Sequence, residues 1–123
     1  MSKRKPVPLS LMGQGAERQL QLHIDPELSD FQGHFADHPV LPGVTHIDWA
    51  VKYACDVFGL VAAFGGMEVI KFQEPILPGM EVQLSLIWHE DKAKLQFSYT
   101  SLDRQGLPRL HSTGKVVLRR TFP

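Results

Sequence analysis

Two side chains that could move protons, His34 and Asp48, lie on either side of a turn rich in proline and glycine. An imidazole titrates near neutrality and burial can bring a carboxyl group towards it, so such a pair could act as general base and general acid. The turn contains Pro39, Pro42 and Gly43 and leads directly into an expected helix N-terminus. Unpaired N–H groups at a helix start could stabilise a carbonyl oxygen that gains negative charge. The stretch therefore predicts a proton-transfer site.

The helix after this turn is predicted from the spacing of its apolar residues, which follow the i, i+3, i+4, i+7 pattern of one helix face. The stripe consists of Ile47, Ala50, Val51, Ala54 and Phe58, with Cys55 beside it. Thr45 is the expected N-cap, and Gly59 suits the C-terminal end, where a left-handed residue often closes a helix. The predicted helix runs roughly over residues 45–58.

The remaining elements are predicted to be strands. Leu20, Leu22 and Ile24 alternate with polar residues, which indicates a strand with one buried face. An edge strand is expected near 7–11, and four antiparallel strands are expected over 67–73, 81–89, 94–102 and 110–119, with a type II turn at 77–79. One helix and five or six strands predict an α+β domain, an antiparallel sheet wrapped around one long central helix.

Composition limits the classes of function. At 123 residues the chain suits a single domain over 1–123. The 13 basic and 13 acidic residues argue against a nucleic-acid binder driven by net charge. Cys55 is the only cysteine, which favours a reducing compartment, and we expect a cytoplasmic protein. No apolar run is long enough to span a membrane.

Each candidate residue also has a plainer interpretation. Asp48 follows Thr45 by three positions and could be only a helix-capping carboxylate. His34 could be a loop histidine bonded to backbone. His34, His38 and His46 invite a metal site, but the prolines between them prevent a helix that would align the first two, so we expect no metal and no other cofactor.

The run from Gly33 to Val44, with Asp48 after it, resembles the signature of the 3-hydroxyacyl-[acyl carrier protein] dehydratases of the hot-dog fold. The similarity continues through Lys71-Phe72 and the turn at Pro78-Gly79, and it covers most of the chain from about Gln19 onward. These enzymes convert a 3-hydroxyacyl thioester to a trans-2-enoyl thioester. The resemblance implies the same activity here, in fatty acid or related polyene lipid biosynthesis.

The resemblance also implies roles for individual residues. His34 of one chain would remove the α-proton, and Asp48 of the other would help the β-hydroxyl leave as water. The two chains would form a homodimer joined edge to edge, or a larger assembly or one with a related subunit. The acyl carrier protein would be the partner that brings the substrate. The residues expected to contact substrate are Phe35, Pro42, Gly43, Val44 and Lys52, with the Gly43 amide on the thioester carbonyl.

Three positions refine or qualify this resemblance. Aspartate at position 48 is similar to the dehydratases that also isomerise the double bond. Ala36 stands where the family usually has proline, and Lys52 where it commonly has glutamine. On a helix Lys52 would neighbour Asp48, and its ammonium would favour the ionised carboxylate, which is a weaker proton donor. The small, short-looped form also resembles the dehydratases of aryl polyene pathways.

The sequence is also compatible with two other functions. A hot-dog thioesterase would use the carboxylate to position or activate water, and would have no need of an α-proton base such as His34. A non-catalytic module could bind acyl carrier protein while keeping the fold. The presence of both His34 and Asp48 favours the dehydratase.

Overall fold

The computed structural model describes residues 5–28 and 40–120, without the side chain of Arg120. These residues form a six-stranded sheet and an α-helix. No helix among them is long and apolar enough to cross a membrane. The elements in chain order are β1 (Ser10–Met12), β2 (Glu17–His23), α1 (Gly43–Phe58), β3 (Ala62–Phe72), β4 (Glu81–His89), β5 (Lys94–Leu102) and β6 (Pro108–Arg120).

The sheet is antiparallel throughout, with spatial order β1-β2-β4-β5-β6-β3. The chain leaves β2, forms α1 against the sheet and returns as β3 at the opposite edge. β4, β5 and β6 then fill the space between β2 and β3 as successive hairpins. This is the hot-dog fold, in which a sheet wraps around one long helix, as the sequence predicted.

Alternation along the strands decides which face of the sheet meets the helix. In β4, Val82, Leu84 and Leu86 are completely buried while the residues between them are partly exposed. Leu95 and Tyr99 occupy the same inward positions in β5. Burial of one apolar face is the main favourable term in such an arrangement. The bounds predicted for β4 and β5 are confirmed.

The helix starts and ends for different physical reasons. Pro42 is the N-cap with extended backbone (φ −60°, ψ 147°), and no side chain among the described residues caps this end. Thr45, the predicted N-cap, instead lies buried inside the first turn, where its N–H bonds the Pro42 carbonyl at 3.0 Å, so that prediction is wrong. Gly59 closes the helix with φ 65°, and its N–H bonds the Cys55 carbonyl, as predicted.

The buried face of α1 is rotated from the predicted stripe. Ala50 and Ala54 are buried as expected, whereas Ile47, Val51 and Phe58 are only partly buried. The rest of the buried face consists of Thr45, His46, Trp49 and Tyr53. The spacing of aliphatic residues did not predict these four positions, because the side chains that pack on the sheet there are aromatic or form hydrogen bonds.

The remaining differences are at strand ends. The predicted strand 67–73 begins earlier, at Ala62, because a bulge at Phe64/Gly66 lets the strand continue through two glycines that suggest a break. The first edge strand is Ser10–Met12 instead of 7–11, and β6 begins at Pro108. The turn at 77–79 is confirmed: Gly79 has φ 87°, and the Met80 N–H bonds the Leu77 carbonyl at 3.3 Å.

Candidate active site

Asp48 lies on the open side of α1, beside Lys52. One carboxylate oxygen is 2.9 Å from the Lys52 Nζ, in an i, i+4 ion pair whose side chains are each 54% exposed. The neighbour relation predicted from the sequence is therefore confirmed. An ion pair this exposed contributes at most about 1 kcal/mol to stability, since water screens it and both long side chains lose freedom.

The capping interpretation of Asp48 is wrong. The first turn of α1 contains no acidic residue, and within 5–28 and 40–120 no side chain caps its N–H groups. Because the helix begins at Gly43 and not at Thr45, Asp48 is displaced into the second turn. Asp48 therefore projects from the side of the helix, where its carboxylate contacts Lys52.

The N-terminus of α1 provides backbone donors. The N–H groups of Thr45 and His46 bond the Pro42 carbonyl, at 3.0 and 3.4 Å. Gly43 and Val44 precede the positions that intrahelical bonding can reach, so their N–H groups have no acceptor within the helix. Together with the positive end of the helix dipole, they can stabilise an oxyanion. This is the role that the resemblance gives to the Gly43 amide.

Gly43 is required by a close contact. Its φ is not in the left-handed region. A Cβ atom at Gly43 would lie 2.8 Å from Cζ of Phe72, which packs directly over it. Any side chain there would push Phe72 of β3 away from the helix start.

An apolar groove runs between α1 and β3, with a volume of about 560 Å³. Its walls are formed by Gly43, Val44, Ile47, Met67, Ile70 and Phe72. Val44 and Asp48 are i, i+4 neighbours, so the carboxylate stands beside the groove. An apolar wall next to N–H donors and a carboxylate suits an acyl chain that carries a thioester.

A second cleft, of about 310 Å³, lies on the sheet face turned away from α1. Ser85, Gln96, Ser98, Thr113 and Lys115 contribute to its lining. Val69, Ile87 and Phe97 line it as well, but neither the start of α1 nor Asp48 does. The groove at the helix is the better candidate, because only there do apolar walls meet groups able to do chemistry.

His34 and Phe35 lie outside the described residues, so their roles remain predictions. Of the other predicted site residues, Pro42 is the N-cap of α1, and Gly43, Val44, Asp48 and Lys52 lie within its first three turns. Within 5–28 and 40–120, no group of three or more potential ligands could hold a metal ion.

One residue of this region was not predicted as part of the site. His46, considered from the sequence only as a metal ligand, is 3% exposed, and its Nδ1 lies 2.8 Å from the Ser112 hydroxyl of β6. The available signal was its position: His46 is four residues before Ala50 and three before Trp49, on the buried side of the helix.

Comparisons with known proteins show the family of the chain. Residues 12–115 match the ApeI-like family model, described as ApeI dehydratase. An uncharacterized protein from Erwinia carotovora subsp. atroseptica is 40% identical, with 98% of each chain covered and a TM-score of 0.80. The dehydratase heterocomplex ApeI:P from Xenorhabdus doucetiae is 37% identical, with 94% of this chain and 99% of that chain covered and a TM-score of 0.83.

Curated relatives match over a shorter stretch. The 3-hydroxyacyl-[acyl-carrier-protein] dehydratase FabZ of Koribacter versatilis is 34% identical over an alignment of 77 positions, which covers 53% of this chain and 49% of that protein. The chain thus spans about half the length of the curated relatives it matches first. With the family model covering most of the described fold, including the helix start and Asp48, the chain belongs to the ApeI-like dehydratase family.

Proposed function

We propose that this protein dehydrates 3-hydroxyacyl thioesters carried on acyl carrier protein, giving trans-2-enoyl thioesters, with His34 as base and Asp48 as acid. The observation that carries the proposal is the convergence at the start of α1. Free N–H groups at Gly43 and Val44, the Asp48 carboxyl and an apolar groove share one side of the helix. Hydrolysis of the thioester, the alternative reaction, would not require these groups together with Gly33-His34-Phe35, which precede the turn.

The chemistry needs three groups to act on one substrate. His34 takes the α-proton, and the electron pair of that C–H bond forms the new double bond. Negative charge that develops on the thioester carbonyl is stabilised by the Gly43 N–H. Asp48 gives its proton to the β-hydroxyl, which leaves as water when its C–O bond breaks. Both groups then exchange protons with solvent and return to their starting states.

A second subunit completes the site in this proposal. The outer edge of β3 has no partner strand among the described residues, and β3 exposes Phe64, Met67, Val69 and Phe72 by half or more. A long edge with exposed apolar side chains is a template for pairing with another chain. Pairing of two β3 strands would cover the groove and bring His34 of one chain towards Asp48 of the other. The partner is a second copy or, as in the ApeI:P heterocomplex, a related chain.

The same contact accounts for Asp48 as a proton donor. In the single chain its carboxylate is half exposed beside Lys52. A partner subunit would exclude water from the groove, and a carboxyl group shielded from water is the better proton donor. We further propose that the substrates belong to an aryl polyene type of pathway, and that the protein works in the cytoplasm, which suits its free thiol at Cys55.

The test is turnover of a panel of 3-hydroxyacyl carrier-protein thioesters, followed as loss of water by mass spectrometry. His34→Ala and Asp48→Asn should each reduce turnover at least about a hundredfold and remain folded. Asp56→Asn is the matched control, because Asp56 is also an exposed carboxylate of α1 paired with a lysine, at 3.0 Å from Lys5. It should turn over at the rate of the unmodified protein.

The other two functions give different products in the same assay. A thioesterase would release free acid, with the mass of the acyl group unchanged by dehydration. A non-catalytic carrier-protein binder would bind the thioesters and release nothing. Either result, or full activity of both the His34 and Asp48 variants, would contradict the dehydratase assignment.

A further inference from the structure

His46 occupies a position that the proposed chemistry does not use. It lies in the first turn of α1, between Gly43 and Asp48, and is 3% exposed. Most buried positions that only fill space are apolar, since an imidazole loses its hydration on burial. A buried histidine at the start of the helix therefore needs partners, and the structure supplies them from several directions.

Two strands, β5 and β6, form hydrogen bonds with His46. The Nδ1 of His46 lies 2.8 Å from the Ser112 hydroxyl of β6. The Tyr99 hydroxyl of β5, itself completely buried, donates a 2.7 Å hydrogen bond to the His46 carbonyl. The imidazole also meets the Tyr99 ring edge-on, with centroids 5.1 Å apart. Side chain and backbone of one residue are thus both attached to the sheet.

The hydrogen bonds define one form of the ring. The imidazole also bonds the backbone of Leu41, which stabilises a ring N–H and makes the ring the donor. The nitrogen facing Ser112 then accepts the hydroxyl proton. Burial lowers the pKa of His46 to about 4, an effect strengthened by His111 nearby, so the ring is neutral at physiological pH. This form satisfies both ring nitrogens.

The same residue is linked to Gly43 by two routes. The first is Leu41, whose own N–H bonds the Ile76 carbonyl at 2.8 Å, so the segment before the helix is tied to the fold. The second is Phe72, whose ring stands edge-on to His46 at 5.4 Å and packs over Gly43. A displacement of His46 would therefore shift the helix start through both Leu41 and Phe72.

A helix start needs such support. No intrahelical bond orients the Gly43 N–H, none of the side chains that the structure describes caps this end of α1, and helix ends are the first part to fray. Displacement of a catalytic group by about 1 Å can reduce a rate by roughly a hundredfold. We infer that His46 is a positioning residue, which ties the Leu41–Gly43 turn to the sheet and so fixes the direction of the Gly43 N–H towards the thioester carbonyl.

This inference rests on the proposed function, and three variants test it. His46→Leu keeps an apolar side chain but neither hydrogen bond, while His46→Gln keeps a neutral donor and acceptor. Ser112→Ala removes one partner and leaves the ring in place. We expect His46→Leu to lower kcat at least about tenfold with KM within about twofold, since the interaction matters most in the transition state. His46→Gln should recover most of kcat, and Ser112→Ala should lie between them.

Leu20→Val is the control for a merely structural effect. Leu20 is a buried β2 residue, so this variant loses stability without touching the helix start. All assays are run well below the lowest melting temperature. If His46→Leu keeps normal kcat, if Leu20→Val loses as much, or if His46→Gln is no better than His46→Leu, the positioning role is wrong.

A readout without turnover separates this inference from the proposed function. Backbone amide exchange and ¹⁵N shifts report the helix start and the ring form directly. We expect His46→Leu, but not Leu20→Val, to speed exchange at residues 41–44, and the native ring to carry its proton on the nitrogen facing Leu41. Unchanged exchange in His46→Leu would overturn the inference even if the dehydratase is active. Faster exchange would support it even if every thioester tested is inert.

Discussion

The two faces of α1 are built for different purposes. On one face Trp49, Ala50 and Ala54 are at most 1% exposed and pack against the sheet. On the other, Asp48 and Lys52 face outward beside an apolar groove that the single chain leaves open. Neighbouring residues in the sequence therefore have opposite roles, one in folding and one in the proposed chemistry. A single helix can do both because its side chains turn through about 100° at each residue.

The largest expected effect separates the neighbours Trp49 and Asp48. Trp49→Ala should lower the free energy of unfolding by about 3–5 kcal/mol, because it leaves a cavity under the helix. Asp48→Asn should change it by no more than about 1 kcal/mol, since it loses only an exposed ion pair. Urea denaturation of both variants measures the contrast, with Trp49→Phe as a milder change of the same residue. Similar losses for Trp49→Ala and Asp48→Asn would contradict the division of the helix into two faces.

A smaller effect should appear on the buried face as the pH falls. Burial lowers the pKa of His46 to about 4 from an ordinary value of 6.5. Between these values the unfolded chain binds a proton that the folded protein does not, so the free energy of unfolding decreases as the pH falls below 6.5. By about pH 5 the loss from this residue should reach roughly 2 kcal/mol.

His46→Gln isolates that contribution, since other titrating groups, including the adjacent His111, are common to both proteins. Urea denaturation at a series of pH values should show the native protein losing more stability than His46→Gln on acidification. Parallel curves would mean that His46 is already accessible to protons in the folded state. Above pH 6.5 the difference between the two proteins should no longer depend on pH.

The smallest effect concerns the open face. Lys52→Gln removes the ammonium that lies 2.9 Å from the Asp48 carboxylate. Because a charge beside the acid is lost, we expect the alkaline limb of the pH–rate profile to move upward. The matched change Lys5→Gln removes the other lysine paired with a helix carboxylate and should leave the profile in place. An unmoved profile in Lys52→Gln would mean that Lys52 turns away from the acid in the active assembly.

The same two faces explain what the sequence could and could not predict. Strict alternation gave the bounds of β4 and β5, and Gly59 gave the end of α1. The start of α1 was placed two residues late, because Thr45 has the composition of a cap while Pro42 already has the extended backbone that precedes a helix. At such positions the residue type that favours a cap need not be the residue whose backbone forms the cap. The sequence shows the residue type but not the backbone conformation.

The buried aromatic and polar residues were missed for another reason. Trp49 and Tyr53 fill the helix–sheet interface, and the bond between His46 and Ser112 joins residues far apart in the sequence. No periodicity within the helix reveals a partner on β6. The open face was better predicted, since Asp48, Lys52 and Gly43 are close in sequence and their relation follows from helical spacing alone.

The central claim is that Asp48 on the open face works with His34 of a second subunit. Mixing inactive His34→Ala chains with inactive Asp48→Asn chains tests it most directly, with subunit exchange verified by mass spectrometry. Random pairing makes about half of the dimers mixed, and each mixed dimer has one site with both native residues. The account predicts recovery of roughly a quarter of the native activity. Activity that stays at the parental level after confirmed exchange would contradict the shared site and place His34 and Asp48 of the same chain together.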